Sequence, residues 1–292
     1  MKTHWYELTQ AACFVVSGRD ARRYLHNRLS NDIRSLSPGA TLQAAALTAQ
    51  GRVEGLFEVA CQDDQRFVLV ADGGDPAMLQ KVLARYVVAD RVVIEEWHSQ
   101  VAVVHVARDL GELLEAGVIS AEHVVCAMRC ARITPLYGTH LLVRRDTYDG
   151  VRQRLRDMCG DPLDSNTYDQ LRWQAGVAVF PTEVNEDVIL TECRLFGAVS
   201  FSKGCYVGQE VIERSDAIGR LPRTLERVVL DQVIAVSAKS PLVAQEDKQI
   251  GRVISSVVSG TTGQTFVFAL LKTGAYKAGD RLRCEGAIGT IV

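Results

Sequence analysis

Lysine is scarce in this chain. Only 7 of its 33 basic residues are Lys and the other 26 are Arg. Those 33 are matched by 35 acidic residues, for a net charge of -2. No global field therefore calls for nucleic acid or an anionic membrane surface as a partner. The Arg surplus offers planar forks for carboxylates and phosphates, although scattered surface Arg would read the same way. Long hydrophobic runs are also missing. The opening Met1-Lys2-Thr3-His4-Trp5-Tyr6-Glu7 has no apolar core of a secretory signal. The longest uncharged stretch, Val253 to Leu271, could span a bilayer by count, but its centre is polar and contains Gly260 and Gly263. It predicts a hairpin turn between two strands. A soluble, cytoplasmic protein is expected.

Several motifs of known chemistry are absent as well: no Walker loop, no dinucleotide glycine fingerprint, no His-Glu-x-x-His and no Cys-x-x-Cys. The eight cysteines, at 13, 61, 126, 130, 159, 193, 205 and 284, are dispersed. They predict reduced thiols, not a disulfide framework. Cys126 and Cys130 are four apart in an apolar setting and are expected in the core. The six His are scattered, none pairs with a Cys at metal spacing, and no metal site is expected.

What is present is a chain of 292 residues, 47% hydrophobic, enough for two or three structural units. Strands are predicted at 12–16, 42–48, 53–60, 66–71 and 91–95. A first helix follows Ser17, its expected N-cap, with Asp20 in the first turn. A second starts at Asp75-Pro76, Asp75 capping it. The order then recurs: strands at 101–106, 124–128, 131–134 and 139–144, helices at 109–116 and 147–158. Two similar α+β halves are expected, about 1–97 and 98–220. Ser165–Ala175 predicts a further helix closed by Gly176. Residues 221–292 are short apolar runs between glycine-bearing turns, which predicts a β-barrel or sandwich.

The densest chemistry lies in Lys203-Gly204-Cys205-Tyr206-Val207-Gly208-Gln209-Glu210. A strand over Val199–Phe201 and a helix over Tyr206–Arg214 would put Cys205 at their junction. Thiolate is favoured there by the Lys203 ammonium and by a helix N-terminus. Such a thiolate can be a nucleophile, a redox sensor or a metal or cluster ligand. The alternative is that Gly-Cys-Tyr only packs a turn. Gln209 and Glu210 supply polar groups for heterocycle edges.

This octapeptide resembles the signature of the YgfZ-type folate-binding proteins, relatives of the glycine-cleavage T-protein (aminomethyltransferase). Weaker landmarks follow in the same order: Leu29-Ser30-Asn31-Asp32-Ile33, Leu47 to Val53, Arg172 with Gly176-Val177, and Gly251-Arg252-Val253-Ile254-Ser255. The resemblance implies an α+β fold with two ferredoxin-like halves and a C-terminal β-barrel around a channel for tetrahydrofolate. It implies a monomer that assists the maturation or repair of iron–sulfur enzymes, including those that modify tRNA. Cys205 and Lys203 would be the functional pair, with a transient iron–sulfur cluster on Cys205 as one option. Iron–sulfur enzymes or assembly proteins would be the partners. Asn31, Asp32, Arg172, Gln174, Tyr206, Gln209, Glu210 and Arg214 are the expected folate contacts, and Arg28 and Arg52 further candidates for its glutamate tail. Gln174 departs from the Glu of many relatives and loses a charge-assisted hydrogen bond. Glu192 stands in a segment that also departs from the family's. Asp72 and Asp75 lie where T-proteins carry a catalytic acid. A folate-dependent aminomethyltransferase and a non-enzymatic folate sensor are the competing functions.

Overall fold

The computed structural model describes residues 4–120, 122–130, 137–217, 221–244 and 247–292. The predicted strand over 131–134 lies outside them. The first half runs β1 (Trp5–Glu7), β2 (Ala12–Ser17), α1 (Ala21–Arg28), β3 (Thr41–Leu47), β4 (Val53–Asp63), β5 (Arg66–Ala71), α2 (Pro76–Ala84) and β6 (Val93–Glu96). The second has β7 (Val101–Val106), α3 (Leu110–Glu115), β8 (Val124–Cys130), β9 (Gly138–Arg144) and α4 (Tyr148–Cys159).

Both sheets contain the four-strand order of a ferredoxin-like βαββαβ unit. In the first, the sheet order is β3-β4-β5-β2-β6, so β3 adds an outer edge to the four-strand pattern. In the second the order is β1-β7-β9-β8. Its fourth strand is therefore β1, from the start of the chain, paired antiparallel with β7. Strand alternation places the core. Ala12, Phe14 and Val16 face α1 and α2, while Cys13 and Val15 turn to the other side. There they meet Val101, Val103, Met128 and Leu142 of the second sheet, so the two sheets share an apolar layer.

α2 begins as its sequence predicts: the Asp75 carboxylate accepts from Ala77 N at 2.9 Å, and Pro76 needs no donor. α1 corrects its prediction. Asp20, not Ser17, takes the N-cap position, and its carboxylate makes no cap bond because it accepts from Arg91 N at 2.9 Å. Ser17 ends β2.

α5 (Ser165–Ala175) is capped by Asp164 and closed by Gly176 in the left-handed conformation. Its Trp173 donates to the Val267 carbonyl at 2.8 Å and stacks on Phe266, which fastens it to the barrel. After α6 (Gln209–Ala217) come β10 (Arg223–Leu230), β11 (Pro241–Ala244), β12 (Gln249–Ser259), β13 (Gln264–Lys272), β14 (Arg281–Cys284) and β15 (Ala287–Ile291). They close a barrel in the order β10-β13-β12-β11-β14-β15. The uncharged stretch from Val253 is the β12–β13 hairpin. Among the described residues no helix is long and apolar enough to cross a membrane.

Candidate functional site

The segment carrying Cys205 departs from its predicted local structure. Val199–Phe201 forms no strand, and α6 starts at Gln209, not Tyr206. Cys205 therefore sits in a loop ahead of the first helical residue. The strand-to-helix junction expected at Cys205 is not formed. Gly208 turns the chain with φ +85°, and a Cβ there would lie 2.5 Å from the Thr48 carbonyl oxygen. Gly51 answers it with φ +71° and close packing on Val211. The loop is thus seated on the β3–β4 turn.

Lys203 is buried, and its ammonium donates to the backbone carbonyls of His26, Leu29 and Asn31, the last at 3.0 Å. Three N–H donors meet three acceptors. Burial lowers its pKa to about 8, opposed by Asp32 and helped by Arg34. It also lies 4.7 Å from the centroid of the Tyr206 ring. The ammonium that the resemblance pairs with Cys205 is engaged with the α1 end and the loop after it, and ties the Cys205 loop to them. Tyr206 is buried too, and its hydroxyl has no hydrogen-bond partner among the described residues. Burial and then Glu213 raise its pKa to about 12.

Of the eight cysteines, Cys205 alone is exposed. It borders an open depression of about 510 Å³ with His26, Asn27, Arg34 and Tyr206. His26 Nδ1 lies 3.1 Å from Asp32 Oδ1, close in distance but not aligned as a hydrogen bond. Burial, Lys203 and Arg34 lower the His26 pKa. Asn31 is occupied within the fold: its amide donates to the carbonyls of Gln43 and Gly197, each at 2.8 Å, and its oxygen accepts from Asp32 N. Asp32 in turn accepts from Arg34 N and Ser35 N. Both side chains are engaged within the fold and line neither this depression nor the cavity described next.

A second, more enclosed cavity of about 330 Å³ lies where the two halves meet the α5 region, and none of its lining residues borders the depression. Tyr6 and Tyr168 stack at 4.0 Å on its wall, beside Asp72, Asp169 and Arg172. Arg172 donates to Glu183, Asp169 and the Val177 carbonyl. Burial opposes its charge, but Glu183 and Asp169 outweigh that and hold its pKa above the usual guanidinium value. Its fork is closed by partners inside the protein. Gln174, Glu210 and Arg214 are exposed, and they line neither cavity; nor does Gln209, whose side chain accepts from Tyr206 N and donates to Glu213. Arg28 is buried against Glu54 and two carbonyls, Arg52 donates to the Asp187 carbonyl, and Glu192 pairs with Arg223. Of the residues expected to hold folate, only Arg172 borders the enclosed cavity.

Sequence reasoning missed Tyr6, Tyr168 and Asp169. Their only signal was position: Tyr168, Asp169 and Arg172 recur at helical spacing on the face of α5 that bears the cavity. It also missed that His105, His140 and Cys130, which have no metal-ligand spacing along the chain, bring their ligand atoms within 4.8 Å of one another.

No protein-family model matches the sequence. An aminomethyltransferase of Herpetosiphon aurantiacus is 22% identical over 290 residues, covering 94% of this chain and 80% of that protein. A protein of Pyricularia oryzae named iron-sulfur cluster assembly factor IBA57 homolog, mitochondrial, is 29% identical over 207 residues. That match covers 68% of this chain but 50% of the relative. The crystal structure of glycine cleavage system aminomethyltransferase T from Bartonella henselae superposes with a TM-score of 0.82 at 16% identity, over 99% of this chain and 85% of that one. That likeness establishes the fold.

Proposed function

We propose, for a chain that belongs to the T-protein-related family of aminomethyltransferases and IBA57-type assembly factors, that it assists the maturation or repair of iron–sulfur enzymes through the Cys205 thiol. The observation that carries this reading is the exposure of Cys205 on a loop anchored by a buried lysine. An inert structural cysteine would be buried, as five of the other seven are. Here the thiol is presented to a macromolecular partner in an open depression, while the loop beneath it is pinned by Lys203 and Gly208. The iron–sulfur cluster, or a sulfur atom of it, is the cargo, and the partner is a client enzyme or an assembly protein.

Tetrahydrofolate would occupy the enclosed cavity. The fit is chemical: stacked Tyr6 and Tyr168 form an aromatic wall, and the Asp72 and Asp169 carboxylates can accept from the amino and ring N–H groups of a pterin. When bound, the folate supplies one-carbon carrier chemistry. Arg172, clamped by Glu183, fixes the α5 wall, and Phe180 and Pro181 close the cavity on another side. The two linings share no residue, which supports a Cys205 that serves its partner's cargo apart from the folate.

The test compares wild type with Cys205→Ala in cells lacking the endogenous protein. Methylthiolation of tRNA, which depends on iron–sulfur enzymes, should fall with the variant while the protein stays folded and abundant. Undiminished methylthiolation by Cys205→Ala removes the proposal. A second reading, aminomethyl transfer to folate, is favoured by Asp72 at the cavity and by the near full-length similarity to an aminomethyltransferase. Formation of methylene-tetrahydrofolate from an aminomethylated carrier protein would establish it, and none above background would dismiss it.

A further inference from the structure

Three donor groups from three neighbouring strands converge inside the second half, outside the linings of both cavities. His105 on β7 and His140 on β9 are register partners, and their rings meet edge to face with centroids 5.1 Å apart. On β8, Met128 stands opposite His140 and Cys130 opposite Gly138. Side chains two apart on a strand share a face, so Cys130 and His140 look the same way. One ligand atom from each of His105, Cys130 and His140 lies within 4.8 Å of the others, and all three residues are buried. The face is the apolar one that also carries Val103 and Leu142.

Two imidazoles and a thiol are the donor types of zinc and copper, whereas magnesium and calcium demand oxygen ligands. Zinc–nitrogen and zinc–sulfur bonds of about 2.0–2.3 Å put tetrahedral ligand atoms roughly 3.3–3.7 Å apart. Donors within 4.8 Å of one another are about 1 Å farther apart than such ligands would be. The strands, hydrogen-bonded in register, give a rigid frame.

We propose that His105, His140 and Cys130 form a binding site for one thiophilic transition-metal ion, zinc(II) foremost, held through two imidazoles and a thiolate. The site has a structural consequence. Tyr6 is the register partner of His105 on β1, so Tyr6, His105 and His140 form one row across the sheet. Tyr6 stacks on Tyr168 in the wall of the enclosed cavity, and Tyr168 lies 6.5 Å from His105 between ring centroids. An ion at the histidines would brace that wall and pin the N-terminal strand to the second half.

Co2+ serves as the spectroscopic stand-in for zinc, in the full chain carrying Cys205→Ser so that the exposed thiol does not compete. Saturable binding of one Co2+ per chain is expected, with a thiolate-to-cobalt charge-transfer band in the near ultraviolet that one equivalent of Zn2+ abolishes. Adding Cys130→Ser should remove the band and weaken binding by more than about 100-fold, since loss of an outer-sphere partner alone costs about 10–100-fold. Adding Cys126→Ser should leave both unchanged. Should Cys130→Ser fail to fold, X-ray absorption of the zinc-loaded protein decides without it. A first shell with two imidazole nitrogens and one sulfur supports the site, and a shell without sulfur overturns it. No saturable Co2+ or Zn2+ binding by the folded protein, or a charge-transfer band that survives Cys130→Ser, overturns it as well.

Discussion

The Lys203 ammonium donates to the Asn31 carbonyl at 3.0 Å, and through that bond and its two neighbours the Cys205 loop is tied to the end of α1. The two residues of the motif that residue chemistry groups together therefore act differently: one builds, the other is presented. Lys203→Met should strip a donor from the buried His26 and Leu29 carbonyls and from the part-buried Asn31 carbonyl, which keeps Ile33 N. At about 1–3 kcal/mol for each group left unsatisfied, it should cost several kcal/mol of stability. Cys205→Ala, at an exposed position, should stay within about 0.5 kcal/mol of wild type. Urea denaturation measures both. Equal destabilisation by the two would contradict the division of roles.

The buried ammonium also predicts a pH dependence. Its folded pKa, near 8, lies below the 10.5 of a free lysine. Between those values the unfolded chain binds more protons than the folded one, so stability rises with pH across that window. Below pH 8 the burial penalty is fully present. The full rise is worth about 3 kcal/mol at most, and Lys203→Met should lack it. Denaturation of both proteins at pH 7.5 and pH 10 reads the difference, and parallel pH profiles would sink the assignment.

Gly208 is required by two separate features, its positive φ and the 2.5 Å that a Cβ would leave to the Thr48 carbonyl. Gly208→Ala should cost about 2–4 kcal/mol, adding backbone strain to overpacking against a backbone atom that has nowhere to go. Gly204, with no atom within 4 Å of a built Cβ, should accept Ala with less than about 1 kcal/mol lost. Thermal denaturation of the two single variants distinguishes a position that seats the loop from one that only belongs to it.

How much of this was legible in the sequence follows from the kind of signal each feature leaves. α5 announced itself through its closing Gly176, and the barrel through its short runs and turns. The exposed thiol lay in the octapeptide that resemblance also singled out. Lys203 misled because its partners are backbone carbonyls, which carry no residue identity. The crossing of β1 to the second sheet rests on a three-residue strand too short for any periodicity. The meeting of His105, His140 and Cys130 depends on strand register, which spacing along the chain does not encode. Gln174 was placed by analogy with a charged residue at the same point, yet its side chain faces solvent.

That last difference yields a test of where folate binds. If the enclosed cavity is the site, Asp72→Asn and Tyr6→Ala should weaken tetrahydrofolate, because one removes a charged acceptor and the other half of the aromatic stack. A hydrogen bond to a charged group is worth about 1.5–3 kcal/mol, which is roughly 10–150-fold in Kd. Gln174→Ala and Arg214→Ala, both exposed and outside the lining, should leave Kd within about twofold. Cys205→Ala should do the same, since the depression and the cavity share no residue. Isothermal titration calorimetry under reducing conditions measures all five. Loss of binding in Gln174→Ala with retention in Asp72→Asn would move the folate out of this cavity and back to the positions that sequence resemblance alone suggests.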